Sequence, residues 1–100
     1  MQTSWSLDAV SLVEAFRSGE NSPLDEASAV IDSIRKSNLN AFSFVDEEGA
    51  LSRAKGADLS LPLGGVPIAV KELHNVEGWP DTNASLVFAD RVSQFDGTMI

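Results

Sequence analysis

The sequence predicts an α/β fold, and three observations carry that prediction. Segments near residues 7–18 and 23–37 repeat apolar residues at helical spacing. Two short runs near 41–45 and 66–71 are aromatic or β-branched, and an alanine-rich stretch near 47–57 lies between them. Helices interleaved with short apolar strands belong to layered α/β architectures.

Each element has its own local reason. Leu7, Val10, Leu12, Val13 and Phe16 fall along one broad helical face that ends at Gly19, with Ser6 as the expected N-cap. After the turn Gly19-Glu20-Asn21-Ser22-Pro23, Ser22 is placed to cap a second helix. Pro23 then stands at its first position and Asp25 three residues after the cap, a capping-box arrangement with Asp in place of Glu. Leu24, Ala27, Val30, Ile31 and Ile34 form the expected buried face. Ala41-Phe42-Ser43-Phe44-Val45 changes the period and reads as a strand with Phe42 and Phe44 on one side. The third helix follows, and "DLSLPLGG" is a connector whose Gly64-Gly65 pair reads as a tight entry into the next strand.

That strand, Val66-Pro67-Ile68-Ala69-Val70, is apolar on both faces, the pattern of a strand covered on both sides, although Pro67 suits a strand's edge or beginning. It ends on Lys71. Beyond it, "NVEGWPDTNAS" reads as a long ordered loop anchored by Trp79, and Asp96 is placed to cap a last helix that the chain leaves unfinished at Ile100. The whole is expected to be one incomplete domain, with residues 1–60 its helical part and 61–100 the lysine-bearing strand and following loop.

Composition excludes several function classes. Seven basic residues stand against fifteen acidic ones, a net charge of −8 with no basic stripe to neutralise phosphates, so direct contact with nucleic acid is not expected. The N-terminus lacks the basic start and apolar core of a signal peptide. No apolar run reaches the roughly 18 residues of a membrane span. No membrane association is expected, and a cytoplasmic location is. With no cysteine, any nucleophile is an oxygen or an amine.

Lys71 fits two readings. An amine withdrawn from water loses preference for its charged form and becomes usable as a general base. A strand-end lysine also snorkels readily to solvent, and the local pattern alone favours this second reading. Alternation turns Glu72 to the other face, away from Lys71. His74 is the sole histidine and has no metal-ligand spacing around it, so it reads as a loop residue and no metal is expected. Gly64-Gly65 lacks the context of a phosphate-binding loop, and no nucleotide or organic cofactor is implied. Asn83-Ala84-Ser85 fits the glycosylation triplet, which carries no weight without a secretion signal. No G-x-S-x-G elbow is present.

Taken in order, "LVEAFRSGENSPLDEASAVIDSIRKSNLNAFSFVDEEGALSRAKGAD" and "LPLGGVPIAVKELHNVEGWPDTNAS" resemble the N-terminal part of amidase signature family enzymes. Each piece alone is weak; their combined order over nearly the whole chain is specific. The resemblance implies an α/β/α fold with a mixed central sheet and a catalytic triad of a nucleophilic serine, a second serine in a cis peptide, and a lysine. Lys71 matches that lysine, the general base. Both serines and the glycine-rich oxyanion loop would lie beyond Ile100, so catalysis is expected to require the remainder of the amidase chain. The implied substrate is a small-molecule amide, and a homodimer is compatible with the reading. Two departures stand out. Glu72 replaces the usual Asp, and Asp81-Thr82-Asn83-Ala84-Ser85 replaces Thr-Thr-Ala-Gly-Ser, which puts Ala84 where a glycine serves a backbone angle that alanine resists. Two alternatives stay open: a non-catalytic α/β binding or scaffold domain, and an amidotransferase subunit working within a complex.

Overall fold

Asp8 opens the first helix. In the computed structural model, which describes residues 8–100, its side chain accepts the Ser11 N–H at 2.8 Å, and α1 runs Ala9–Ser18. The expected cap Ser6 and the first apolar position Leu7 lie outside the described residues. These hydrogen bonds from Ser11, backbone first, hold the Asp8 carboxyl below its ordinary range. The cap therefore acts above the ordinary aspartate range and is lost as pH falls through the lowered value. Gly19 ends α1 in the left-handed region, φ +80°, and the Asn21 N–H returns to the Ala15 carbonyl at 3.2 Å. Leu12, Val13 and Phe16 are buried as expected, whereas Val10 faces solvent.

Helix α2, Pro23–Lys36, starts as the sequence requires. Ser22 Oγ accepts the Asp25 N–H at 3.1 Å and Pro23 sits at the first turn, where its missing N–H costs nothing. Asp25 does not close the box: the Ser22 N–H donates instead to Asn21 Oδ1 at 2.8 Å. Replacing Ser22 by alanine is expected to destabilise this unit by about 1 kcal/mol, read as a lower urea midpoint of the full-length protein at unchanged slope.

The buried stripe of α2 is rotated from the expected one. Pro23, Glu26, Ala27 and Ile31 are inside, Leu24 is exposed, and Val30 and Ile34 are half-buried beside Leu39 and Phe42. Pro23 faces inward, so the residues three, four and eight positions on follow it, and this takes Glu26 to full burial. Asn21 Nδ2 donates to Glu26 Oε2 at 3.2 Å, while Oε1 has no partner among the described residues. Helix α3, Glu47–Lys55, is capped by Asp46, whose Oδ1 accepts the Gly49 N–H at 3.0 Å, and packs against α2. An exposed Arg35–Glu47 ion pair adds little to that packing. Arg17, in the last turn of α1, donates from Nε to the Leu59 carbonyl at 3.0 Å and from Nη2 to that of Leu61 at 3.1 Å, fastening the connector to the helix.

The predicted strands do not form. Residues 41–45 and 66–71 take part in no ladder, and among the described residues strand pairing is confined to one isolated antiparallel bridge, Pro80 with Val92. A strand exists through its neighbour: its N–H and C=O groups need a partner edge, and the elements around residues 8–67 are helices. Phe42 and Phe44 are accordingly 43% exposed and Ile68 77%. The last predicted helix is also absent. Asp96 Oδ1 accepts the Glu77 N–H at 2.8 Å instead of capping residues 97–100, which turn. The chain divides into two units, one ending at Pro67 and the other spanning Ile68–Ile100.

Candidate functional site

Lys71 lies in the second unit, close to its start. Its carbonyl accepts the His74 N–H at 2.9 Å, closing a turn directly behind it. The side chain is exposed, and its ammonium enters no ion pair among the described residues. Within its own unit the amine thus stands in contact with solvent. A segment without ladder neighbours leaves its terminal side chain in water. His74 is likewise exposed, and no group of three or more histidine, aspartate or glutamate side chains among the described residues is placed to hold a metal ion.

Glu72 points elsewhere. Its Oε1 accepts a hydrogen bond from the Thr82 hydroxyl, and both side chains are half-buried. Thr82 Oγ1 in turn accepts the Ala84 N–H at 3.3 Å, and the Ser85 N–H closes on the Thr82 carbonyl at 2.9 Å. Asn83 and Ala84, the two central residues of that turn, both have positive φ, +49° and +56°. This is the backbone pattern of a type I′ turn, which favours Asn-Gly. Asn83 tolerates the left-handed region, whereas Ala84 is strained in it. Ala84→Gly is expected to raise stability by about 0.5–1 kcal/mol, the relieved strain outweighing the added freedom of the unfolded chain. A lower urea midpoint for this variant would show that the turn does not hold Ala84 against its preference.

The rest of the loop is organised by Ser93. The predicted anchor, Trp79, is half-buried, and its backbone carries part of the framework: the Ser93 N–H donates to the Trp79 carbonyl and the Gly78 N–H to the Ser93 carbonyl, both at 2.9 Å. Ser93 itself is 3% exposed; its hydroxyl donates to the Phe95 carbonyl at 2.7 Å and accepts from Asn75 Nδ2 at 3.2 Å. Arg91 secures the other end. Its Nε donates to the Asp81 carbonyl at 2.6 Å and lies 3.3 Å from Asp81 Oδ2, with the guanidinium 4.1 Å from the Phe88 ring centroid. Sequence reasoning missed Ser93, Asn75 and the Glu72–Thr82 link, because hydrogen bonds across 10 to 18 residues leave no periodic trace. The one available signal was the density of polar turn-formers between Asn75 and Ser85.

Comparison with known proteins adds a family. The profile of the family described as Amidase matches residues 26–100, a stretch that includes Lys71, Glu72 and the Thr82–Ser85 turn. The chain is similar to the A subunit of the glutamyl-tRNA(Gln) amidotransferase of Akkermansia muciniphila, 40% identical over 88 residues, which cover 87% of this chain and 19% of that protein. It is similar to the protein of the same name from Dechloromonas aromatica, 39% identical over 87 residues, covering 79% of this chain and 18% of the relative. The Bordetella bronchiseptica counterpart is 39% identical over 97 residues, covering 91% and 17%. The chain therefore spans less than a fifth of the length of these relatives. No solved structure matches it.

Proposed function

The chain belongs to the amidase family, and from that premise we propose that it is the N-terminal portion of an amide-cleaving enzyme in which Lys71 is the general base. A serine outside residues 1–100 is the nucleophile, and a second serine, held in a cis peptide, passes its proton to the neutral Lys71 amine. The serine oxygen bonds to the amide carbonyl carbon, the C–N bond breaks, and the nitrogen leaves with the proton returned through the same relay. Water then cleaves the ester. Chain beyond Ile100 supplies the ladder neighbours that make 41–45 and 66–71 strands of a mixed sheet, and with them the cover that desolvates Lys71. The substrate is a small-molecule amide, no cofactor takes part, and the enzyme works in the cytoplasm.

The observation that supports this reading is the family match across the lysine-bearing segment. Its test is ammonia release by the full-length protein from glutamine, asparagine and simple aliphatic amides, with the acyl-enzyme sought as an added mass on the denatured protein. Release that depends on Lys71 supports the reading, and no release from any amide overturns it.

A second reading is favoured by the relatives, which carry the name of a glutamyl-tRNA(Gln) amidotransferase. In it the nitrogen released by the same chemistry passes to an acceptor within a complex instead of to solvent. Transfer of labelled amide nitrogen into glutamyl-tRNA(Gln), with little free ammonia, distinguishes it from simple hydrolysis.

A further inference from the structure

We propose that Thr82 is a positioning residue, holding the Glu72 carboxylate away from the Lys71 amine so that the amine is free to accept a proton. The inference rests on the reading of Lys71 as general base and deepens it. Glu72 follows Lys71 directly, one residue past the end of the expected strand 66–71, where alternation alone no longer fixes the direction of its side chain and a free carboxylate can turn toward the lysine nitrogen. A carboxylate there would favour the charged amine, which cannot act as a base. In the structure Glu72 is instead committed to Thr82.

The geometry shows how that commitment is enforced. A threonine hydroxyl has one proton, and here it is donated to Glu72 Oε1, a charge-assisted bond of the stronger class. The direction of that proton is set from behind, where the Ala84 N–H occupies the Oγ1 acceptor side at 3.3 Å. The positive φ of Asn83 and Ala84 brings that N–H into place, so the strained turn serves the orientation of one hydroxyl. The other titratable groups of the unit are engaged elsewhere or apart from the amine. Asp81 pairs with Arg91, and Asp96 accepts the Glu77 N–H. His74, Glu77 and Asp90 make no ion pair with Lys71 among the described residues.

The experiment compares pH profiles of kcat/KM for the full-length enzyme and its Thr82→Val, Thr82→Ser and Glu72→Gln variants, together with the Thr82→Val/Glu72→Gln double variant. Losing the hydroxyl frees Glu72 to approach Lys71, so the acidic limb of Thr82→Val is expected to move up by about one pH unit or more. Thr82→Ser restores the limb, because the hydroxyl is back. The double variant restores it as well, because no carboxylate is left to pair. A merely structural role for Thr82 lowers kcat without moving the limb, and that result overturns the proposal, as does a limb equally displaced in the double variant. Thr82→Ala replaces the valine variant if the latter fails to fold. Lys71→Ala, run in parallel, separates the two ideas. Activity without Lys71 removes the base assignment and this proposal with it, whereas a Lys71-dependent enzyme with an unmoved limb removes only the role of Thr82.

Discussion

Lys71→Ala in the full-length enzyme is expected to lower kcat by about 10⁴-fold or more while leaving KM and stability nearly unchanged. On the proposed mechanism the loss is large because base, relay and nucleophile would act as one unit, so that removing any member costs most of what the set contributes. The side chain makes no ion pair among the described residues, so its truncation leaves no partner charge of this segment unpaired and the fold is expected to survive. Lys71→Arg sharpens the test. Arginine keeps length and charge but does not deprotonate in the working range, so a base role predicts that it fails as badly as alanine. A purely electrostatic role predicts that it largely rescues. In both variants a rapid quench with substrate is expected to show no acyl-enzyme mass. Turnover within about tenfold of the parent in either variant would remove Lys71 from the chemistry.

What the sequence disclosed and what it withheld follow from the range of the interactions. Two helix boundaries with a strong local signal are where that signal puts them, Ser22 capping α2 with Pro23 behind it and Gly19 ending α1 in the left-handed region, whereas Asp96, read as a cap, holds the Glu77 N–H instead. Such signals act within one turn of chain. The strands at 41–45 and 66–71 are apolar in the right pattern, yet a strand is defined by a second edge, and no pairing reaches them among the described residues. Glu26 escapes a sequence reading for a related reason: its charge argues for solvent, but Pro23 sets the inward face of α2 and carries Glu26 inside with Ala27 and Ile31. At the candidate site the resemblance singled out two positions: Ala84, which takes the positive φ that a glycine would suit, and Lys71, whose role rests on the proposal above. The Glu72–Thr82 hydrogen bond that joins their neighbourhoods was not legible, since it spans ten residues of aperiodic loop.

Gly65→Ala is expected to cost on the order of 3 kcal/mol. Two effects combine there. Gly65 has φ +85°, where any Cβ is strained, and an added Cβ would stand 2.5 Å from Pro23 Cγ and 3.3 Å from Phe16 Cδ2. Phe16 is 3% exposed and Pro23 is buried at the first turn of α2, so neither yields without disturbing the packing of α1 and α2. Gly19 separates the two effects. Its φ is +80°, nearly the same, but nothing lies within 4 Å of its would-be Cβ, so Gly19→Ala reports backbone strain alone, about 1 kcal/mol. Urea midpoints of the two variants in the full-length protein therefore measure the contact term as a difference. Equal shifts would mean that Phe16 and Pro23 relax away from the new methyl group; a shift at Gly65 some threefold larger would mean that the approach of the connector to the helices is fixed by those two side chains, and that the second glycine of the Gly64-Gly65 pair is what permits it.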